Sequence, residues 1–257
     1  MSPQRVMITA AAAGIGRSIA QAFAADGAKV HVCDLDEQAL IDFRQEHPEI
    51  AATHVNVRSE GEIEAWFDDA LDDLGGLDVL VNNAGIKGPT ALVDDIDYAD
   101  WRECLEVGID SHFLCARRAA PVMKAEGSGA IINISSMAGM YGFGRRSPYA
   151  AAKWAVIGFT KSLAVELGPH NVRCNCICPG AVRGARIDRV IAAEAEERGV
   201  PADEVGREVV GGQSIRRFVE PGEIADLCVF LASPAARMIT GQAIGIDGHT
   251  ETYHLGP

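Results

Sequence analysis

No apolar run in this chain reaches the ~18 residues that a membrane-spanning helix needs, so no spanning segment is expected. The opening residues MSPQRVMIT lack a basic region followed by an apolar core, so no export signal is expected either. Basic side chains are the minority. Lys and Arg number 23 against 36 Asp and Glu, a net charge of −13, which argues against nucleic acid or an anionic membrane as a partner. Internal repeats, low-complexity tracts and linkers are missing, so one domain over residues 1–257 is the simplest expectation. The 7 cysteines are an odd number. Without an export signal they are read as reduced thiols in a cytoplasm, not as a disulfide frame. Metal-ligand spacing is also lacking. Cys174, Cys176 and Cys178 alternate near His170 and would share one strand face, but small buried thiols account for that face without a metal.

What is present is ordinary for a soluble globule: 48% hydrophobic and 23% charged residues, in a chain long enough for a sizeable core. Short apolar runs alternate with helical patterns. RVMIT (5–9) reads as a strand, followed by the small-residue turn Ala10–Gly16 and a helix. Small residues let a pyrophosphate approach the backbone, and a helix N-terminus favours its charge. A second strand, KVHVCD, ends in Asp34, at the spacing from Gly14 where a carboxylate reaches ribose hydroxyls. AATHV leads to Asn56 and Val57 and an acidic helix over 60–74. LDVLV ends in Asn82-Asn83-Ala84-Gly85. Residues 98–125 read as one long helix and 148–168 as another, with the strand VRCNCIC and the last strand AIGID beyond. Strands alternating with helices imply right-handed crossovers and a seven-stranded parallel sheet, a doubly wound α/β fold.

The stretch Ser136–Lys153 carries the chemistry. The apolar strand AIINISS stops in small residues, and a helix restarts at Ser147-Pro148, where proline suits the first turn. Tyr149 and Lys153 are four apart and share a helix face. Ser136 sits at a strand end, where open α/β sheets bind ligands. A hydroxyl, a phenol and an ammonium thus converge. A cation beside a phenol favours the phenolate, so Tyr149 is expected to act as a general base on an alcohol, with Ser136 holding the substrate oxygen.

With these residues in this order, the chain resembles a classical short-chain dehydrogenase/reductase. The matching residues are Thr9…Gly14-Ile15-Gly16, Asn82-Asn83-Ala84-Gly85, Ser136, Tyr149-x-x-x-Lys153, Pro179-Gly180 and Thr240–Gly248, over nearly the whole length. The resemblance implies a Rossmann-type fold and a catalytic set of Ser136 (rather than Ser135), Tyr149 and Lys153. It places a dinucleotide on Ala11, Gly14, Ile15, Gly16, Asp34, Leu35, Asn56, Val57, Asn83, Ala84, Gly85, Tyr149, Lys153, Pro179, Gly180 and Val182. It further implies a substrate lid over about 183–213 and a homotetramer built through the two long helices. The tail Thr250–Pro257 is expected to cover a neighbour's site.

Three departures from the family pattern stand out. Ala10 replaces a glycine and is expected to be tolerated only at negative φ. Gly108 stands where relatives carry an Asn whose main-chain carbonyl serves a water relay. If the carbonyl suffices, Gly108→Asn would be nearly neutral. Gly184 replaces a Thr that touches the cofactor carboxamide. The arginines of the lid (Arg183, Arg186, Arg189) and Arg145 and Arg146 suggest an anionic substrate. The expected function is NAD-linked interconversion of a secondary alcohol, of polyol, sugar or hydroxy acid type, and its ketone. The alternatives are a 3-oxoacyl carrier-protein-type reductase and a non-catalytic dinucleotide-binding regulator.

Overall fold

The computed structural model describes residues 3–250. Most of the tail expected over a neighbour's site lies outside them. Seven strands form one all-parallel sheet in the order β3-β2-β1-β4-β5-β6-β7. They are β1 (Arg5–Thr9), β2 (Lys29–Asp34), β3 (Ala51–His54), β4 (Val79–Asn82), β5 (Gly129–Ile134), β6 (Val172–Pro179) and β7 (Ala243–Ile246). Strand alternation feeds both faces. Val6 and Ile8 of β1 pack with α1 (Gly14–Ala25), α2 (Glu37–Glu46) and α9 (Pro221–Ala232). Met7, between them, packs on the other face with α3 (Glu60–Leu74), α5 (Ser111–Glu126) and α6 (Ser147–Leu167). Full burial of Phe23 from α1 and Phe67 from α3 stabilises by roughly 1.5–3 kcal/mol each.

The chain winds from β1 outward to β3, then returns to β4 beside β1 and winds the other way. The crevice at the C-terminal ends of β1 and β4 is therefore the switch point, where open α/β sheets take ligands. Among the described residues no helix is long and apolar enough to cross a membrane.

The helix expected over 98–125 is interrupted. It runs as α4 (Tyr98–Leu105), a π turn (Glu106–Asp110) and α5. A wider turn is how a helix absorbs an extra residue. Here it falls on Gly108, which is pressed against α6. Beyond β6, α7 (Ala185–Arg198) and α8 (Ala202–Val210) close a small core of their own from Ile191, Ala195, Val205, Val210 and Phe218.

Candidate active site

The loop from Ala10 to Gly16 lies where β1 ends. Ala10 has φ +52°, so the expected negative φ is corrected. The left-handed turn leaves the Ala10 carbonyl accepting from Asn83 Nδ2 at 2.8 Å, while Thr9 O accepts from the same amide at 3.1 Å. Thr9 Oγ1 in turn accepts from the N–H groups of Asn83 (3.0 Å) and Ala84 (3.1 Å). Loop and strand β4 are thus locked together across the switch point. A left-handed alanine is strained by about 1–2 kcal/mol. Ala10→Gly is therefore expected to raise stability by about 1 kcal/mol, after the entropy glycine adds to the unfolded chain. Thermal unfolding checks it, with a midpoint rise of about 2 °C expected for a chain of this size.

Gly16 has no room for a side chain. A Cβ there would meet the Ala10 carbonyl oxygen at 2.3 Å and Asn83 Nδ2 at 2.6 Å. Gly14 sits at φ +56°, and a Cβ added there would meet nothing within 4 Å, so backbone conformation alone explains that glycine. The N-cap of α1, Ala13, supplies no side-chain hydrogen bond, so first-turn N–H groups are left for an anion. Ala11 is buried and donates to Cys33 O at 3.1 Å. Half-buried Ile15 packs on the first core.

Asp34 closes β2 with its carboxylate fixed. Oδ2 accepts from Ala12 N at 3.0 Å, and Oδ1 accepts from Leu35 N (2.8 Å) and Asp36 N (3.1 Å). A carboxylate has about four acceptor positions, so about one is left for a ligand hydroxyl. Leu35 beside it is 59% exposed. Arg17, the first cation after the loop, is paired with Glu46. Asn56 Oδ1 accepts from Arg58 N at 3.1 Å, and Val57 packs on the second core. These groups fit an adenosine half: a tight small-residue cradle, an uncapped helix end and one fixed carboxylate.

The other half of the crevice is built by β5 and α6. Ser135 is buried, and its Oγ donates to Lys153 O at 2.7 Å. Ser136 is half-buried, and its Oγ accepts from Ala138 N at 3.1 Å. The first serine is a fastening and the second faces the open side. Lys153 is only 4% exposed, with Nζ donating to Ile134 O at 2.9 Å. Its ammonium lies 5.8 Å from the Tyr149 ring centre. Phe143 meets the Tyr149 ring edge-on at 6.5 Å. Gly85 faces the lysine, since a Cβ there would stand 3.1 Å from Nζ. Pro179 ends β6, Gly180 donates to Ile246 O at 3.0 Å, and Val182 bridges to Val219. The sequence-predicted residues therefore gather along the strand ends from β3 to β6.

One contributor, His112, was not legible in the sequence. His112 Nε2 lies 3.2 Å from Ala84 O. A carbonyl only accepts, so that nitrogen carries the proton. Burial, with the Lys153 charge, pushes this histidine down to about 3, which keeps it neutral at ordinary pH. Cys174, Cys176 and Cys178 do share a buried face, with 3.9 Å between the last two sulfurs. Burial pushes the Cys174 thiol up to about 12. No group of three or more His, Cys, Asp or Glu among the described residues is placed to hold a metal.

Gly108 also requires a correction. A Cβ at this position would stand 2.9 Å from Ala152 Cβ, next to Lys153 on α6. Any side chain must push α6 or the π turn, so Gly108→Asn is not expected to be neutral. Overpacking costs roughly 1–3 kcal/mol, and about 1 kcal/mol of helix propensity is returned. Both Gly108→Ala and Gly108→Asn are expected to lose about 1 kcal/mol of stability and about tenfold in turnover, because α6 carries Tyr149 and Lys153, the candidate catalytic pair. Thermal melts alongside turnover measurements check this. Unchanged turnover would mean that the π turn absorbs the side chain.

Known proteins place these features in context. The family model described as Enoyl-(Acyl carrier protein) reductase matches residues 10–249. The chain is 38% identical over 252 residues to trans-4-hydroxycyclohexanecarboxylate dehydrogenase of Sinomonas cyclohexanicum, covering 94% of this chain and 90% of that one. The solved structure of NAD+-bound xylitol dehydrogenase superposes with a TM-score of 0.88 at 26% identity, covering 96% of this chain and 98% of that one. A variant actinorhodin polyketide ketoreductase with NADPH superposes with a TM-score of 0.90 at 31% identity, over 97% and 98% of the two chains.

Proposed function

This chain belongs to the classical short-chain dehydrogenase/reductase family, an oxidoreductase family acting on CH–OH groups, and from that premise we propose that it is an NAD-linked dehydrogenase of a secondary alcohol. The observation that carries the reading is the pairing of Tyr149 with buried Lys153 across a 5.8 Å ring contact, beside the half-buried hydroxyl of Ser136. Ser136 Oγ holds the substrate oxygen. Tyr149 takes the hydroxyl proton as the carbinol carbon loses its hydride and the C=O bond forms. Lys153 Nζ stands 5.8 Å from the Tyr149 ring centre and holds that side of the pair through its bond to Ile134 O. NAD, when bound, supplies the hydride acceptor. Ala11, Gly14, Ile15, Gly16, Asp34 and Leu35 hold its adenosine and pyrophosphate. Asn56 and Val57 border the adenine side, and Asn83, Ala84, Gly85, Pro179, Gly180 and Val182 border the nicotinamide. Neutral His112 steadies the Ala84 carbonyl.

A hydroxy acid is the favoured substrate type, since the relative from Sinomonas is named for one. The segment 183–213, with its own small core, serves as the lid. The outer faces of α5 and α6 expose Phe113 and Trp154, and they suit the packing of copies into a homotetramer. Buried free thiols suit a reducing cytoplasm. A second reading, reduction of acyl groups on a carrier protein, is favoured by the family model's description and by the polyketide ketoreductase likeness. It is opposed by the Asp34 carboxylate and by a net charge of −13, which repels an acidic carrier. Steady-state rates on hydroxy acids with NAD, set against an acyl-carrier substrate with NADPH, separate the two. Faster use of the carrier substrate contradicts the proposal.

A further inference from the structure

Ala84 lies just past the end of β4, and its backbone is held from two sides. Its N–H donates to Thr9 Oγ1 of β1 at 3.1 Å. Its carbonyl accepts from His112 Nε2 of α5 at 3.2 Å. His112 is fully buried, so this bond is made on the core side of the turn. The Ala84 carbonyl and the Gly85 N–H belong to one trans peptide, in which the two groups point in opposite directions. Holding the carbonyl inward therefore turns the Gly85 N–H outward. Gly85 is exposed, and its N–H donates to no group among the described residues. The same residue stands against Lys153, since a Cβ there would lie 3.1 Å from Nζ. The outward N–H is thus beside the candidate catalytic pair.

Glycine has little conformational preference of its own, so the turn by itself does not set which way the Ala84–Gly85 peptide faces. His112 sets it. A cation would not serve in this place. Lys153 is close enough for its charge, together with burial, to push His112 down to about 3, so the donor is a neutral one. Packing alone does not call for a histidine either. A buried polar group is costly unless it is hydrogen-bonded, and leucine fills a similar volume without that cost. What histidine adds at this position is the bond to the Ala84 carbonyl.

We propose that His112 is a positioning residue for the nicotinamide half of the cofactor: by keeping the Ala84 carbonyl in the core, it presents the Gly85 N–H to an acceptor oxygen of that half. This rests on the reading of the crevice as an NAD site. The adenosine half belongs to Asp34, at the end of β2, and does not depend on His112. A donor fixed in advance costs a ligand less to engage than one that must be ordered on binding.

The test is calorimetric titration of the full chain with NAD and with ADP, which has the adenosine and pyrophosphate but lacks the nicotinamide riboside. Wild type, His112→Gln and His112→Leu are compared. Glutamine keeps a neutral N–H donor on a side chain of similar reach, and leucine has none. His112→Leu is expected to raise the Kd for NAD about tenfold, near the upper range for one hydrogen bond, and to leave the Kd for ADP within about twofold. His112→Gln is expected to recover most of the loss. A histidine that serves packing alone would move both ligands together or neither. Equal changes for NAD and ADP, an unchanged Kd for NAD in His112→Leu, or no recovery in His112→Gln would therefore overturn the proposal. If His112→Leu does not fold, His112→Phe takes its place. Failure of both apolar variants to fold would assign the residue to stability and overturn the proposal too. Absence of NAD and ADP binding by the wild type would instead overturn the cofactor reading on which it stands.

Discussion

Tyr149→Phe is expected to lower turnover of any secondary alcohol by between ~10²- and ~10⁴-fold, the range that general acid–base catalysis supplies. At about 1.4 kcal/mol per tenfold, that is roughly 3–5 kcal/mol of barrier. The substitution removes one oxygen and keeps the ring. Its contacts with Phe143 at 6.5 Å, Arg146 at 5.9 Å and Lys153 at 5.8 Å are ring contacts, so the wall of the crevice stays in place. The proposed dinucleotide contacts with Asp34, the Ala10–Gly16 loop and Asn83 lie on other elements, so NAD is expected to bind nearly as before. The loss should therefore appear in kcat and not in cofactor affinity. Near-normal turnover by Tyr149→Phe would assign the base elsewhere.

The second large effect concerns the cofactor. NADP carries a phosphate at the 2′ position, which the Asp34 carboxylate meets as a like charge. Two unit charges ~4 Å apart in an effective dielectric of ~20 repel by about 4 kcal/mol. The carboxylate cannot readily turn away, because three backbone N–H groups hold it, those of Ala12, Leu35 and Asp36. Nor is a nearby cation ready to compensate. Residues 10–13 are all alanine, and Arg17 is paired with Glu46. NAD is expected to exceed NADP by at least ~10²-fold in kcat/KM after solvent screening. Asp34→Ala should narrow that gap. It also frees the Ala12 N–H that holds the loop, so some loss with NAD accompanies it. Equal efficiencies in the wild type, or an NADP preference that survives in Asp34→Ala, would remove Asp34 from this role.

The sheet and its order of elements were readable because alternation and period are local. Val6, Met7 and Ile8 need only the strand's twofold repeat to divide between two cores. The proposed site is legible where a proposed role falls on one residue, as with Tyr149, Lys153 and Asp34. It was not readable where partners come from distant segments. Ser135 reads as a duplicate of Ser136, and only the packing of α6 on β5 turns it into the fastening of Lys153. Ala10 reads as a residue that must avoid positive φ, yet the amide of Asn83, from another strand, accompanies it there. Gly108 reads as a lost asparagine. In the fold it is a close approach to Ala152, visible only once α4, the π turn and α6 are brought together.

The most direct test of the account is an absorbance assay for NADH, with the wild type and NAD against a panel of secondary alcohols, polyols and hydroxy acids. The account predicts NADH formation with at least one secondary alcohol, matched mole for mole by its ketone, and its loss in Tyr149→Phe. Tight NAD binding with no NADH from any member of the panel, and no NADH consumption with the corresponding ketones, would contradict it and favour a regulatory dinucleotide-binding protein.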